Sequence, residues 1–402
     1  MARRLDPTIE LQQIIRKQLE GALQGDVLTE VRRATQGAQI EFMQRARMAA
    51  TGLKITEKTM PALYNLCQEV KNDLEFTQDI DFYIQGDSEI NAYAYISEDA
   101  DKPHIIVVHS ALFNLMDDQE LKYIIGHEIG HLFNKDSYIT RLYDFIYPNE
   151  EGAPEIIKSR MKQYDQLAEY AADRYGYNAC MDLGSAITAL YKLTCGIDLK
   201  KMEVSIDSLI DQNFDKANEL INNGVISKSD HPDIPLRIHA MLLYAKCKTI
   251  KALEENMAVL FESIPGMYHS DVDCQMALFS AAAGIRLAMK DGKMDKTEKD
   301  MIIEEIAKYD LEPSKIFKKV LKENVDVVFE QSMSFVIDKD PSKAIAMLKF
   351  YVELAFADRV FSKEELNSVM DFGRSLGLDE PIIYEAIADE IREHYWSLAD
   401  CL

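Results

Sequence analysis

Nothing in this sequence staples the chain or punctuates it often. Six cysteines (Cys67, Cys180, Cys195, Cys247, Cys274 and Cys401) are scattered over 402 residues with no CxxC pair. That excludes a disulfide framework or a zinc ribbon and predicts free thiols in a reducing compartment. Gly and Pro together are scarce, 17 and 11, which excludes collagen-like and low-complexity chains. Long apolar runs are missing too. The longest, Met276 to Ile285, stops at Arg286, far short of the roughly 20 residues a membrane helix needs. Arg3 and Arg4 have no apolar stretch behind them, so a secretory signal is not expected. Basic residues are the minority, 45 against 68 acidic, for a net charge of −23. Nonspecific binding of nucleic acid or anionic membrane needs the opposite balance. The expectation is a cytoplasmic protein with no membrane span and no nucleic-acid partner.

Hydrophobic residues make up 47% of the chain, enough for real cores, and the length predicts two to three domains at roughly 150 residues each. Residues 6–73 read as helices, with Leu11, Ile14, Ile15 and Leu19 on one face. Between 77 and 110 come short β-rich runs, Asp81 to Gln85, Ile90 to Ile96 and His104 to His109, parted by polar turns. They predict a small sheet of about three strands. From Ser110 the pattern is helical: 110–115, 117–135, 138–146, 154–181, 183–194, 203–223 and 232–262. Pro265 and Gly266 mark a boundary. Beyond it Leu287–Leu311 aligns without a gap on Leu354–Leu378, which predicts a helical module with two similar halves. The fold class expected is α+β, mostly helical. Its parts are an N-terminal helical segment (1–54), a catalytic domain (55–262) and an all-α accessory domain (274–402).

The chemistry sits in Gly126-His127-Glu128-Ile129-Gly130-His131. Residues four apart share a helix face, so both imidazoles can converge on one metal ion. Glu128 is rotated about 100° from His127, which suits a base beside a metal-bound water. Zn2+ lowers that water's pKa toward ~7 and polarises a scissile carbonyl; Glu128 would take the proton and pass it to the leaving amine. Gly126 and Gly130 cost helix propensity, and make sense where a neighbouring backbone or a substrate comes close.

Catalytic zinc takes three protein ligands and leaves one position open. Glu169, in Leu167-Ala-Glu169-Tyr-Ala-Ala-Asp173, is the best candidate for the third; Glu150, Glu151 and Glu155 compete but surround Gly152 and Pro154 in an expected loop. Asp173 shares the face of Glu169 and could accept the other N–H of a zinc-bound imidazole. Ala171 and Ala172 would let the two helices approach.

These residues resemble the gluzincin metallopeptidases that include the HtpX-like heat-shock proteases and the CAAX prenyl endopeptidases. Four segments match in order over roughly residues 55–248: Asn91-Ala92-Tyr93-Ala94, the approach Asp118 to His131, Glu169 to Asp173, and His231-Pro232 followed by Arg237-Ile238. The resemblance implies one Zn2+ per chain on His127, His131 and Glu169, with Glu128 as general base and Asp173 behind a ligand. It implies that Asn91, Ala92, Tyr93 and Ala94 form an edge strand against which a peptide or protein substrate lies extended. His231 would stand near the metal, either donating to the oxyanion or occupying the fourth position. Membrane members of the family carry apolar spans beside the zinc helix, and this sequence has none.

The remaining features are weaker. His104 and His109 lie on opposite faces of one strand and read as core or rim residues. Asp295 with Glu298, and Ser362 with Glu365, read as capping boxes. The tail resembles the helical TerB-like domain of tellurite-resistance proteins. Asp291 and Asp358, equivalent in the repeat, read first as exposed turn acids, with a cation or a basic protein partner there as the alternative. The function expected is a zinc-dependent endopeptidase whose tail recruits partners or substrates. The alternatives are a catalytically silent peptide-binding scaffold acting through the TerB-like domain, and an enzyme held latent under its helical N-terminus.

Overall fold

β-Branched and aromatic residues between Ile80 and His109 form a small mixed sheet, as their alternation predicts, with one strand added in front. In this computed structural model residues 5–99, 101–198, 204–223, 232–262, 264, 270–289, 294, 296–356 and 362–393 are described. The strands are β1 (Gly52–Lys54), β2 (Ile80–Gln85), β3 (Ala92–Tyr95) and β4 (His104–His109), in the order β1-β2-β4-β3. β2 and β4 run parallel, from Ile80 opposite His104 to Gln85 opposite His109. β1 is antiparallel to β2, and β3 is antiparallel to β4, Ala92 facing Val108 and Tyr95 facing Ile105. β3 therefore lies at an edge. Three strands were expected and four are found. β1 is only three residues long and shows no alternation; its pairing to β2 decides its conformation.

The chain divides into two compact units, 1–267 and 268–402. Helices of the first are α1 (Glu10–Ala22), α2 (Gly25–Arg32), α3 (Ala38–Thr51), α4 (Pro61–Asp73), α5 (Ser110–Leu115), α6 (Asp118–Asn134), α7 (Asp136–Ile146), α8 (Glu155–Cys180), α9 (Leu183–Cys195), α10 (Ile206–Asn223), α11 (Ile234–Lys246) and α12 (Ile250–Glu262). A single helix was expected over 232–262. It breaks instead at Cys247–Thr249, where the Thr249 hydroxyl accepts the Ala252 N–H and starts α12 afresh. Residues 5–54 pack into this unit. The Leu5 carbonyl accepts from the Tyr244 hydroxyl at 2.6 Å, Arg174 donates to Thr8, and β1 belongs to the sheet.

Helices α6 and α8, which pack along each other in this unit's core, meet through small residues. A Cβ on Gly126 would stand 2.4 Å from the Cβ of Ala179, and one on Gly176 would stand 2.8 Å from Tyr123. Gly130 lies against Ala172 and Tyr175 in the same way. The close approach read from Gly126, Gly130 and Ala172 is met from the other side by Gly176 and Ala179. Overpacking a close-packed interface costs about 1–3 kcal/mol, and Gly126→Ala is expected to destabilise the protein by that amount. Thermal melting checks it; an unchanged melting temperature would show that the contact is not needed.

The second unit comprises α13 (Asp271–Ala288), α14 (Lys296–Ala307), α15 (Pro313–Val320), α16 (Val325–Lys339), α17 (Ala344–Ala355), α18 (Lys363–Ser375) and α19 (Glu380–Glu393). The repeat appears as α13–α14 and α17–α18. Ile302 and its equivalent Val369 are both fully buried, and Leu287 and Leu354 pack toward the same interior. The halves do not bury separate faces. One apolar cluster takes Phe279, Ile302 and Ile306 together with Phe329, Met347, Leu354 and Phe372. Ser362 and Glu365 form the expected capping box, and Ser270 with Asp273 forms another. Asp291, Asp295, Asp358 and Phe361 lie outside the described residues.

Candidate metal centre

Helix α6 is fixed at its start before it delivers any ligand. The Asp117 carboxylate accepts the Gln119 and Glu120 N–H groups, and Glu120 accepts the Asp117 N–H at 2.8 Å. Glu120 is itself fully buried, taking hydrogen bonds from Lys192 at 2.7 Å and Thr188 at 2.8 Å. From this anchored turn the helix carries Tyr123, His127 and His131 along one side.

His127 Nε2 and His131 Nε2 stand 3.1 Å apart, and each lies 3.6 Å from a carboxylate oxygen of Glu169 on α8. In a tetrahedral site with bonds of ~2.05 Å, neighbouring ligand atoms are about 3.3 Å apart. The spacings therefore suit a zinc ion. The hydrogen bonds behind the imidazoles point the same way. His127 Nδ1 meets Asp173 Oδ1 at 3.1 Å, and His131 Nδ1 meets Asp136 Oδ2 at 2.8 Å. A carboxylate can only accept, so each Nδ1 carries a proton and Nε2 is the atom of each ring that turns inward, where its lone pair would bind a metal. Two lone pairs and a carboxylate then face one another across a few ångströms, an array that needs positive charge at its centre. The effect shows in His131: burial works against its charge, yet Asp136 and Glu169 raise its pKa well above the usual imidazole value.

Glu128 turns to the other side, toward β3. It is 7% exposed, and its carboxylate accepts the backbone N–H of Ala94. Burial raises its pKa above the usual carboxyl value; His127, His131 and the Ala94 N–H pull the other way, while Glu169 adds to the rise. Of the Asn91–Ala94 segment, Ala92 to Ala94 lie in the edge strand β3, and the Asn91 side-chain oxygen accepts the Ala92 N–H just before it. The structure thus brings together His127, Glu128, His131, Glu169, Asp173 and the strand. His231 lies outside the described residues. His104 and His109 are buried on opposite faces of β4, away from this cluster.

Three supports were given no role at the sequence level, although Arg237 stands in one of the matched segments. Asp136, the first residue of α7, placed two residues beyond α6 by a left-handed turn at Lys135 (φ 53°), holds His131 and is held in turn by Tyr164 at 2.8 Å and by Gln12 of α1 at 2.8 Å. Arg237 on α11 donates through Nε and Nη2 to Asp173, at 2.8 and 2.6 Å, and its Nη1 lies 3.1 Å from Glu169. Tyr123, one turn before His127, donates to Asp173 at 2.6 Å. Burial would raise the Asp173 carboxyl, but Arg237 beside it brings it below the usual range. Groups that orient a metal-bound imidazole typically account for about 10- to 100-fold in metal affinity. Asp136→Asn is expected to weaken zinc binding by that factor, measured by competition with a chromophoric chelator. Unchanged affinity would remove Asp136 from the site.

Residues 60–148 match the sequence profile of Peptidase family M48, a metallopeptidase family. The matched stretch contains β2 to β4, α6 and the His127-Glu128-…-His131 motif, and ends before Glu169 and Asp173. Over 240 residues the chain is 22% identical to the plastoglobule-localized metallopeptidase 48, chloroplastic, of Arabidopsis thaliana, which covers 56% of this chain and 69% of the relative. No solved structure matches. Among the described residues no helix is long and apolar enough to cross a membrane.

Proposed function

We propose that the protein is a zinc-dependent endopeptidase. The observation that carries the reading is the convergence of His127, His131 and Glu169 within 4.8 Å beside a buried Glu128 that reaches the edge strand. When bound, zinc supplies a Lewis acid that activates water and polarises a carbonyl. The chain's own residues do the rest. Backbone groups of Ala92 to Ala94 pair with an extended peptide, which lays the scissile bond over the Glu128 end of α6. Glu128 accepts the proton of the attacking water and returns it to the departing amine. Asp173 and Asp136 accept from the two Nδ1–H groups and so hold each ring with its Nε2 turned inward. His231, following the resemblance to the gluzincins, is proposed to act at the metal, donating to the oxyanion or occupying the fourth position. The second unit, residues 268–402, is proposed as a TerB-like recruiter of protein partners or substrates.

The test joins metal content to an unbiased peptide-library digest read by mass spectrometry. Purified protein should hold about one tightly bound zinc per chain and cleave peptides internally. Glu169→Ala should lose most of that metal and the cleavage with it. Zinc binding equal to wild type in Glu169→Ala would show that the third ligand is elsewhere.

A further inference from the structure

The two faces of β4 lead to different places. Ile106 and Val108 pack toward α6, whereas Ile105 and Val107 pack with Met48, Tyr93 and Tyr95 on the other side. Side chains alternate along a strand, so His109 shares the face of Val107 and lies across the sheet from the zinc helix. Its ring is 5% exposed and meets Tyr93 edge-on, with centroids 5.9 Å apart. Its Nδ1 is buried and, among the described residues, has no hydrogen-bond partner. Buried ring nitrogens are ordinarily satisfied, and an orphan one calls for an explanation.

Two carboxylates stand in front of it. Glu89 Oε2 is 3.9 Å from His109 Nδ1, and one ligand atom each from Asp87, Glu89 and His109 lie within 4.8 Å of one another. Local bonds fix the loop that presents them. The Ser110 hydroxyl donates to the Asp87 carbonyl at 3.1 Å, and the Glu89 N–H donates to the Asp87 carboxylate at 2.9 Å. We propose that Asp87, Glu89 and His109 form a second metal site, for a divalent transition-metal ion of the zinc class.

The donor set selects the ion. An imidazole nitrogen with carboxylate oxygens suits Zn2+, whereas Ca2+ and Mg2+ favour all-oxygen cages. Zinc ligands about 3.3 Å apart require the exposed Glu89 carboxylate to move inward by less than an ångström. Asp87 and Glu89 are open to solvent, so water completes the shell and the ion exchanges readily. The consequence is positional. The Asn91 amide donates to Glu89 Oε1 at 3.3 Å, and its oxygen accepts the Ala92 N–H at 2.8 Å. An ion at this site braces the start of β3, on the face opposite Glu128.

The experiment uses the full chain carrying His127→Ala and His131→Ala, which removes the first pair of ligands, in equilibrium dialysis against Zn2+ with Ca2+ as the competitor. One exchangeable Zn2+ per chain should remain, and Ca2+ should not displace it. Adding Glu89→Gln or Asp87→Asn should weaken that binding by about tenfold or more, the scale of losing one partner at a metal site. Glu89 is an exposed loop residue, so this substitution leaves folding intact even where His109→Ala does not. Hydrogen exchange should also show Zn2+ slowing the amides of residues 86–92. A double variant that binds no Zn2+, or that binds it equally after Glu89→Gln, overturns the proposal. Neither result bears on the first site, whose two histidine ligands are absent from the protein tested.

Discussion

Glu128→Gln is expected to keep its zinc and lose about 10²- to 10⁴-fold in peptide turnover, the range that a positioned general base supplies. The amide has the shape of the carboxylate, and its oxygen can still accept the Ala94 N–H, so the spacing between α6 and β3 survives. No ligand is removed. What is lost is the ability to take a proton, because a neutral amide is a far weaker base. The surroundings of Glu128 suit it to proton transfer. Burial and Glu169 raise its proton affinity, while His127, His131 and the strand N–H keep the ionised form accessible. Elemental analysis and kcat/KM on a peptide found by the library digest decide the matter together. Turnover near wild type would place the base elsewhere, and lost metal would mean that Glu128 supports the site structurally.

Much of this centre is legible because its parts recur along single helices. His127 and His131, four apart, must share a face, and so must Glu169 and Asp173; the periodicity of 3.6 alone states both facts. What joins the two helices is less legible. Gly126 and Gly130 announce a close neighbour but not its identity, and Gly176 carries no sign of its own until Tyr123 is seen against it. Contacts across the chain are silent in the sequence. Arg237 reaches Asp173 over 64 residues, and Gln12 reaches Asp136 over 124. The resemblance marks Arg237 as part of a matching segment, but only its burial beside Asp173 shows what it does. β1 is illegible for a related reason: three residues cannot display a period, and only the neighbouring β2 makes them a strand. In the second unit the repeat is visible as spacing, whereas the merging of its halves into one core, with Phe279 of one stacked on Phe372 of the other, is a contact that spacing does not announce.

Arg237→Leu is expected to cost the zinc-free protein about 3–5 kcal/mol, the penalty for removing one partner of a buried ionic cluster. Arg237 is 7% exposed and its guanidinium spans two carboxylates, forking onto Asp173 and touching Glu169. Leucine fills much of the volume but leaves both carboxylates buried without that charge. Bound zinc changes the balance. Held by His127, His131 and Glu169, it would set two positive charges beside Glu169 and, through His127, near Asp173, and so would replace part of what the guanidinium supplied. Zinc should therefore raise the melting temperature of Arg237→Leu by more than it raises that of wild type. Arg237→Lys should fall between, because a point charge on a flexible stem cannot fork across both acids. Calorimetry with and without a chelator measures each term. An equal loss of stability in the zinc-free and zinc-bound forms would mean that Arg237 acts through packing alone, and that the charge beside Glu169 is irrelevant to holding the metal.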